Sequence, residues 1–262
     1  MSSKPQPSTA ALDSVKSNIQ KAYDAISQKY SEWTVTQHPT REKYLNILLS
    51  HLTSLPTIST SKQNPEGEGD KEHGEERTAL EVGCGTGTPT LSALASSGLF
   101  EKVIGNDISS TNIQTASRVL SSFDSVSFRE GDMMALSFEP QSLTAVVGMY
   151  SLIHLPREEQ VTFLERVYTW LKPGGYLLAN FGAVESEGNY SKGWLGGEEG
   201  EMFWSSWGEE GTCCHLERIG FELVVREVWV DLEDGADGNE DESTEVRFLW
   251  VLARKKRTEI GS

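Results

Sequence analysis

Cysteine is scarce in this 262-residue chain. The three present, Cys84, Cys213 and Cys214, are an odd number with no spacing that frames disulfides or a zinc site. A reducing compartment is expected, and no metal. Long apolar runs are missing too: nowhere do eighteen consecutive apolar residues occur, and the opening MSSKPQPSTA contains no secretion-type apolar stretch. The expectation is a cytoplasmic protein without membrane contact. Bases are outnumbered by acids, 23 to 39, for a formal charge of −16, and no basic stripe is available to neutralise phosphates, which excludes nucleic acid as a partner. Internal repeats are absent as well.

The acidity is concentrated. Asn64–Arg77 carries six acids and two bases, and Asp231–Glu245 eight acids and no base. Clustered acids in Gly-rich sequence are solvated segments rather than binding faces. The chain is 37% hydrophobic and has 24 glycines, which is sufficient for one α/β core carrying insertions. Three regions are expected: a helical cap over 1–55, a flexible acidic insertion over 56–77, and a core over 78–262. Within the core, a lid is expected near 183–208 and an acidic hairpin turn near 231–245.

The cap contains a stripe of Val15, Ile19, Tyr23, Ile26 and Tyr30 at helical spacing, entered at Asp13 or Ser14, and a second helix near Arg41–Leu55. After the insertion, apolar runs at Thr78–Val82, Lys102–Asn106, Ser125–Glu130, Leu143–Gly148 and Gly175–Asn180 alternate with helical patterns, as right-handed crossovers of a parallel sheet require. Phe221–Val230 and Val246–Ala253 follow with only the acidic segment between them, so they form an antiparallel hairpin.

The strongest local signal is LEVGCGTGTPTLSAL, in which a strand runs into Gly83, Gly85 and Gly87 and then into a helix. Glycines in such a turn let the backbone approach a ligand lying against the helix amides. The dinucleotide pattern G-x-G-x-x-G fails because Thr88 occupies its third glycine, which disfavours a nucleotide-dependent oxidoreductase, and no Gly-Lys-Ser/Thr follows for a phosphate loop. Gly83-x-Gly85-x-Gly87, with Glu81 two residues ahead, resembles motif I of the class I S-adenosylmethionine-dependent methyltransferases of the small-molecule type. VIGNDIS, FREGDMMAL, TAVVGMYSLIHLP and LKPGGYLLANFG follow in that family's order.

The resemblance implies a Rossmann-like three-layer α/β/α sandwich with seven strands in the order 3-2-1-4-5-7-6, strand 7 antiparallel. It further implies S-adenosyl-L-methionine as cofactor, with the motif I turn (Glu81, Gly83, Cys84, Gly85, Gly87) beneath the methionine part. Asp107 would lie at the ribose, Asp132 and Met133 at the adenine, and Tyr150 beside the transfer zone, with Tyr23 and Tyr30 folding over the cofactor and Ile108 and Met149 also among its binding residues. The acid that usually opens the fourth strand is absent here, since that strand begins Leu143-Thr144-Ala145.

The expected reaction is in-line methyl transfer to a small molecule, onto oxygen or nitrogen first and sulfur next, by a monomer or homodimer. The alternative is a non-catalytic S-adenosylmethionine-binding or regulatory protein. Gly148-Met149-Tyr150-Ser151 stands where nucleobase amino methyltransferases carry an Asp/Asn-Pro-Pro-aromatic tetrad. His154, with an ordinary pKa near neutrality, and Tyr150 are the candidate catalytic residues. Trp194, Phe203, Trp204 and Trp207 are the candidate substrate pocket, on a segment too long for a bare connection.

Overall fold

Runs of residues buried on both faces become the centre of the sheet. In the computed structural model, which describes residues 9–54, 76–234 and 243–257, β1 (Thr78–Val82) and β4 (Leu143–Gly148) have every residue buried and pair in parallel. Such strands show no alternation in sequence because helices cover both faces. β2 (Lys102–Asp107) and β3 (Val126–Glu130) extend the sheet on one side, and β5 (Leu171–Gly182) on the other. β8 (Phe221–Asp234) and β9 (Ser243–Lys255) close it as an antiparallel pair, with β9 inserted beside β5. The order β3-β2-β1-β4-β5-β9-β8 is the expected one once two strands of a separate sheet, β6 (Glu185–Ser191) and β7 (Met202–Trp207), are counted in chain order.

The helices form the two outer layers. α2 (His38–Thr53), α3 (Thr90–Ser96) and α4 (Ser110–Val119) bury Leu48, Leu52, Leu91, Leu94 and Ile113 on one face, around Trp250 of β9. α5 (Arg157–Trp170) and α6 (Gly208–Ile219) bury Phe163, Leu164, Val167 and Leu216 on the other. A third cluster lies outside the sandwich, where α1 (Thr9–Trp33) packs Ile19, Ala22, Tyr23 and Ile26 against Trp194, Leu195, Met202 and Phe203.

Those last residues belong to an element the sequence reading did not contain. The segment expected as a lid forms an antiparallel hairpin of β6 (Glu185–Ser191) and β7 (Met202–Trp207). The acidic turn is shorter than expected: Asp231, Leu232 and Glu233 are paired with Val246, Glu245 and Thr244, because the twisted ladder of β8 and β9 runs on past its apolar part. The rest of that turn, and all but the end of the acidic insertion over 56–77, lie outside the described residues. α1 and α2 begin earlier than expected, at Thr9 and His38, the latter with Pro39 in its first turn, where no amide donor is needed.

Candidate functional site

The carboxyl ends of β1, β2, β3 and β4 open onto one cavity, as ligand sites of parallel α/β sheets do. After β1 the chain turns through Gly83 and Gly85 at φ +69° and +54°. A Cβ on Gly83 would collide with Ser151, whereas one on Gly85 would meet no atom within 4 Å, so the turn leaves open room on the cavity side. Asp107, at the end of β2, ties this turn to α4: its carboxylate accepts the amides of Gly85 (2.8 Å) and Ser109 (2.9 Å) and the Asn112 side chain (3.3 Å). Burial raises its pKa, and these donors oppose the rise. Asp132 follows β3, accepts the Met134 amide at 2.9 Å and pairs with Lys16 of α1 at 2.8 Å. Lys16 also reaches Glu159, so α1 is pinned across the cavity mouth.

A second cavity adjoins the first, lined by Trp33, Trp194, Trp204 and Phe248. Tyr23, Tyr30, Tyr150 and His154 line both. Tyr150 takes a left-handed backbone conformation, φ +56°, rare for a residue with a side chain. Its amide donates to Asn180 Oδ1 of β5 (2.6 Å) and its hydroxyl to Asp231 of β8 (2.7 Å), which over-determine the strained conformation. Burial and Asp231 both raise the Tyr150 pKa, so this phenol stays protonated. His154 is buried, with Nε2 2.8 Å from the Tyr23 hydroxyl and Nδ1 2.8 Å from the Phe203 carbonyl. A carbonyl only accepts, so Nδ1 carries the proton and Nε2 accepts from Tyr23. Desolvation lowers the His154 pKa to about 4.

The structure brings Gly83, Cys84, Gly85, Asp107, Ile108, Asp132, Met133, Met149, Tyr150, His154, Tyr23 and Tyr30 into the lining of the first cavity. Glu81 and Gly87 are outside it. Glu81 lies buried beneath the turn, and Gly87 faces α4, with Leu120 3.1 Å from where a Cβ would stand. Trp194 and Trp204 line the second cavity, whereas Phe203 and Trp207 do not. Strand alternation explains the difference: β7 turns Trp204 inwards, while Phe203 packs against Tyr190 and Trp207 lies between Arg157 and His215. His154 and Tyr150 line both cavities, but neither has a free basic atom there. Among the described residues no His, Cys, Asp or Glu cluster suits a metal.

Sequence reasoning missed Lys16, Trp33 and Arg41. Arg41 had a signal: it shares the buried face of α2 with Tyr44, Leu45 and Leu48, and a cation at helical spacing with apolar residues is out of place.

These residues suit a nucleoside carrying an amino acid. Acids stand at the ends of β2 and β3, Gly85 leaves space, and the buried atoms Arg41 Nε, Glu81 Oε2 and Ser151 Oγ have no hydrogen-bond partner. A family model described as "Methyltransferase domain" matches residues 79–175. Residues 79–175 are thus a methyltransferase domain. A demethylmenaquinone methyltransferase of Lactococcus lactis subsp. lactis is 36% identical over 101 residues, covering 38% of this chain and 39% of that protein. A sterol 24-C-methyltransferase of Debaryomyces hansenii is 27% identical over 188 residues, covering 68% and 48%. The matches thus span less than half the length of either relative. A Burkholderia thailandensis 1,6-didemethyltoxoflavin-N1-methyltransferase, solved with 1,6-didemethyltoxoflavin and S-adenosylhomocysteine, superposes with a TM-score of 0.63 at 15% identity. That superposition covers 97% of this chain and 93% of that one, and it shows a likeness of fold.

Proposed function

We propose that this protein transfers the methyl group of S-adenosylmethionine to a small, ring-containing and largely apolar acceptor held in the cavity walled by Trp33, Trp194, Trp204 and Phe248. The observation that carries this reading is that the two cavities meet only a few side chains apart, at Tyr23, Tyr30, Tyr150 and His154. When bound, the cofactor supplies a methyl carbon on a sulfonium, open to in-line displacement. The protein's part is to align acceptor and donor and to exclude water. Asp107 holds the ribose and Asp132 the adenine amino group, with Ile108, Met133, Cys84 and Met149 as the apolar lining. Tyr30 and Trp194, with ring centroids 5.7 Å apart, close the junction from α1 and the hairpin.

His154 and Tyr150 act here as positioning residues. His154 holds the Tyr23 hydroxyl through its only basic nitrogen, and Tyr150 holds Asp231. With His154 and Tyr150 both engaged, the acceptor is one that arrives with an available electron pair or a readily lost proton. The named relatives place the methyl on carbon in one case and on a ring nitrogen in another, so carbon joins oxygen, nitrogen and sulfur as a candidate atom.

The test is turnover of methyl-labelled S-adenosylmethionine against a panel of phenols, aromatic N-heterocycles, quinones and sterols. Labelled product with S-adenosylhomocysteine release is expected for a planar member. Cofactor binding without transfer to any member would overturn the acceptor reading.

A further inference from the structure

Among the described residues Arg41 is a buried cation with no ion pair, although Asp231 and Glu81 are near enough for its charge to favour their ionised forms. It is 8% exposed on α2 and lines the first cavity. Its guanidinium lies 4.5 Å from the centroid of the Tyr150 ring, Nη2 reaches Gln37 Oε1 only at 3.5 Å, and Nε has no partner. The other cation in the lining, Lys16, is taken by Asp132 and Glu159. A buried charge is costly unless it is paired and hydrogen-bonded, and a ring face with one long hydrogen bond replaces little of a guanidinium's hydration.

The cavity lining carries both charges: Asp107 and Asp132 follow β2 and β3, and Arg41 stands on α2 beside Tyr150. Ser31 already meets Thr86 of the glycine turn at 3.2 Å, which joins the α1 end to that turn. Glu81 lies beneath the turn, buried, with Oε2 unpartnered. Arg41 is near enough to favour the charged form of Glu81, yet the two share no hydrogen bond. A guanidinium without an ion pair and a carboxyl with one oxygen unpartnered suit the two charges of a zwitterion.

We propose that Arg41 binds the α-carboxylate at the amino-acid end of the cofactor, so that α2 reads the charge of that end while the strand ends read the nucleoside. The proposal rests on the cofactor reading above. A planar guanidinium offers two parallel donors to a carboxylate, which a lysine ammonium does not.

The experiment is calorimetric titration of the full-length protein with S-adenosylhomocysteine and with 5′-methylthioadenosine, which keeps the nucleoside and lacks the amino acid. Arg41→Met should weaken S-adenosylhomocysteine at least about thirtyfold and leave methylthioadenosine within about twofold, with Arg41→Lys in between. An equal loss for both ligands, or none for either, overturns the role of Arg41. Absence of S-adenosylhomocysteine binding by the unaltered protein overturns the cofactor reading itself, and the proposal with it. Should Arg41→Met not fold, the unaltered protein gives the same decision: the α-carboxyl methyl ester of S-adenosylhomocysteine should bind at least about tenfold more weakly than the acid, and equal affinity refutes the proposal.

Discussion

Tyr23 and His154, 131 positions apart in sequence, hold each other across the junction of the two cavities at 2.8 Å. With Nδ1–H given to the Phe203 carbonyl, this bond fixes the tautomer and joins three elements: α1, the turn after β4, and the hairpin. It makes His154 a rigid neutral support.

A pH dependence follows. The native pKa of about 4 is below the ordinary 6.5, so between those values the unfolded chain binds the extra proton. Stability owed to neutral His154 is complete above pH 6.5 and is lost as pH falls towards 4, on the order of 3 kcal/mol in full. Denaturant midpoints measured from pH 8 to 4.5 should decline for the natural protein and flatten for His154→Gln. Equal slopes would show that the ring is already charged or exposed.

Asp107 has two duties, where the sequence suggested one. Replacing it with Ala should lower cofactor affinity at least about tenfold through lost charge-assisted hydrogen bonds to the ribose. It also frees the amides of Gly85 and Ser109, so stability should fall by about 1–3 kcal/mol. Asp107→Asn keeps one acceptor and should recover more of the stability than of the affinity. Calorimetry and urea unfolding on both variants check this, and full affinity in Asp107→Ala would remove it from the ribose site.

Glu81 gives the opposite sign to His154. Burial pushes its pKa up to about 8 from 4.5, so the native state holds a proton that the unfolded chain releases over that interval. Its contribution is therefore greatest below pH 4.5 and is lost as pH rises through 8. Glu81→Gln should be more stable than the natural protein at pH 8.5 by a few kcal/mol, roughly, and no better at pH 5. Saturating S-adenosylhomocysteine should narrow the difference, because a nearby ammonium keeps Glu81 ionised. A melting-temperature series with and without ligand reads both effects.

What the sequence disclosed depended on whether the cause was local. β1 and β4 fall on their expected residues because an apolar run is sufficient to define them. The strand order came with the family resemblance that the successive motifs carry. The β6/β7 hairpin was illegible: β6 is the polar run ESEGNYS with a glycine at its centre, and what stabilises the pair is α1, far upstream. Arg41 was missed for the same reason. Tyr150, on which its guanidinium rests, comes from another part of the chain, and only its place on the buried face of α2 marked it.

The two tryptophans of β7 provide the sharpest test of the acceptor cavity, because the sequence treated them alike and the structure separates them. Trp204 lines the cavity, its ring 5.7 Å from Trp194 and 6.0 Å from His154. Trp207 faces away, donates Nε1–H to the Arg157 carbonyl at 2.8 Å, and is covered by the Arg157 guanidinium. Trp204→Phe keeps a ring against Trp194 while shrinking the wall, so transfer should fall at least about tenfold, through KM or kcat, with S-adenosylhomocysteine affinity within about twofold. Trp207→Phe loses the hydrogen bond and part of the stacking, about 1–2 kcal/mol of stability, and should leave turnover per folded molecule unchanged. Thermal unfolding, calorimetry and turnover on the same preparations separate the two. If Trp207→Phe impairs transfer as much as Trp204→Phe does, the wall of the acceptor cavity has been drawn on the wrong face of β7.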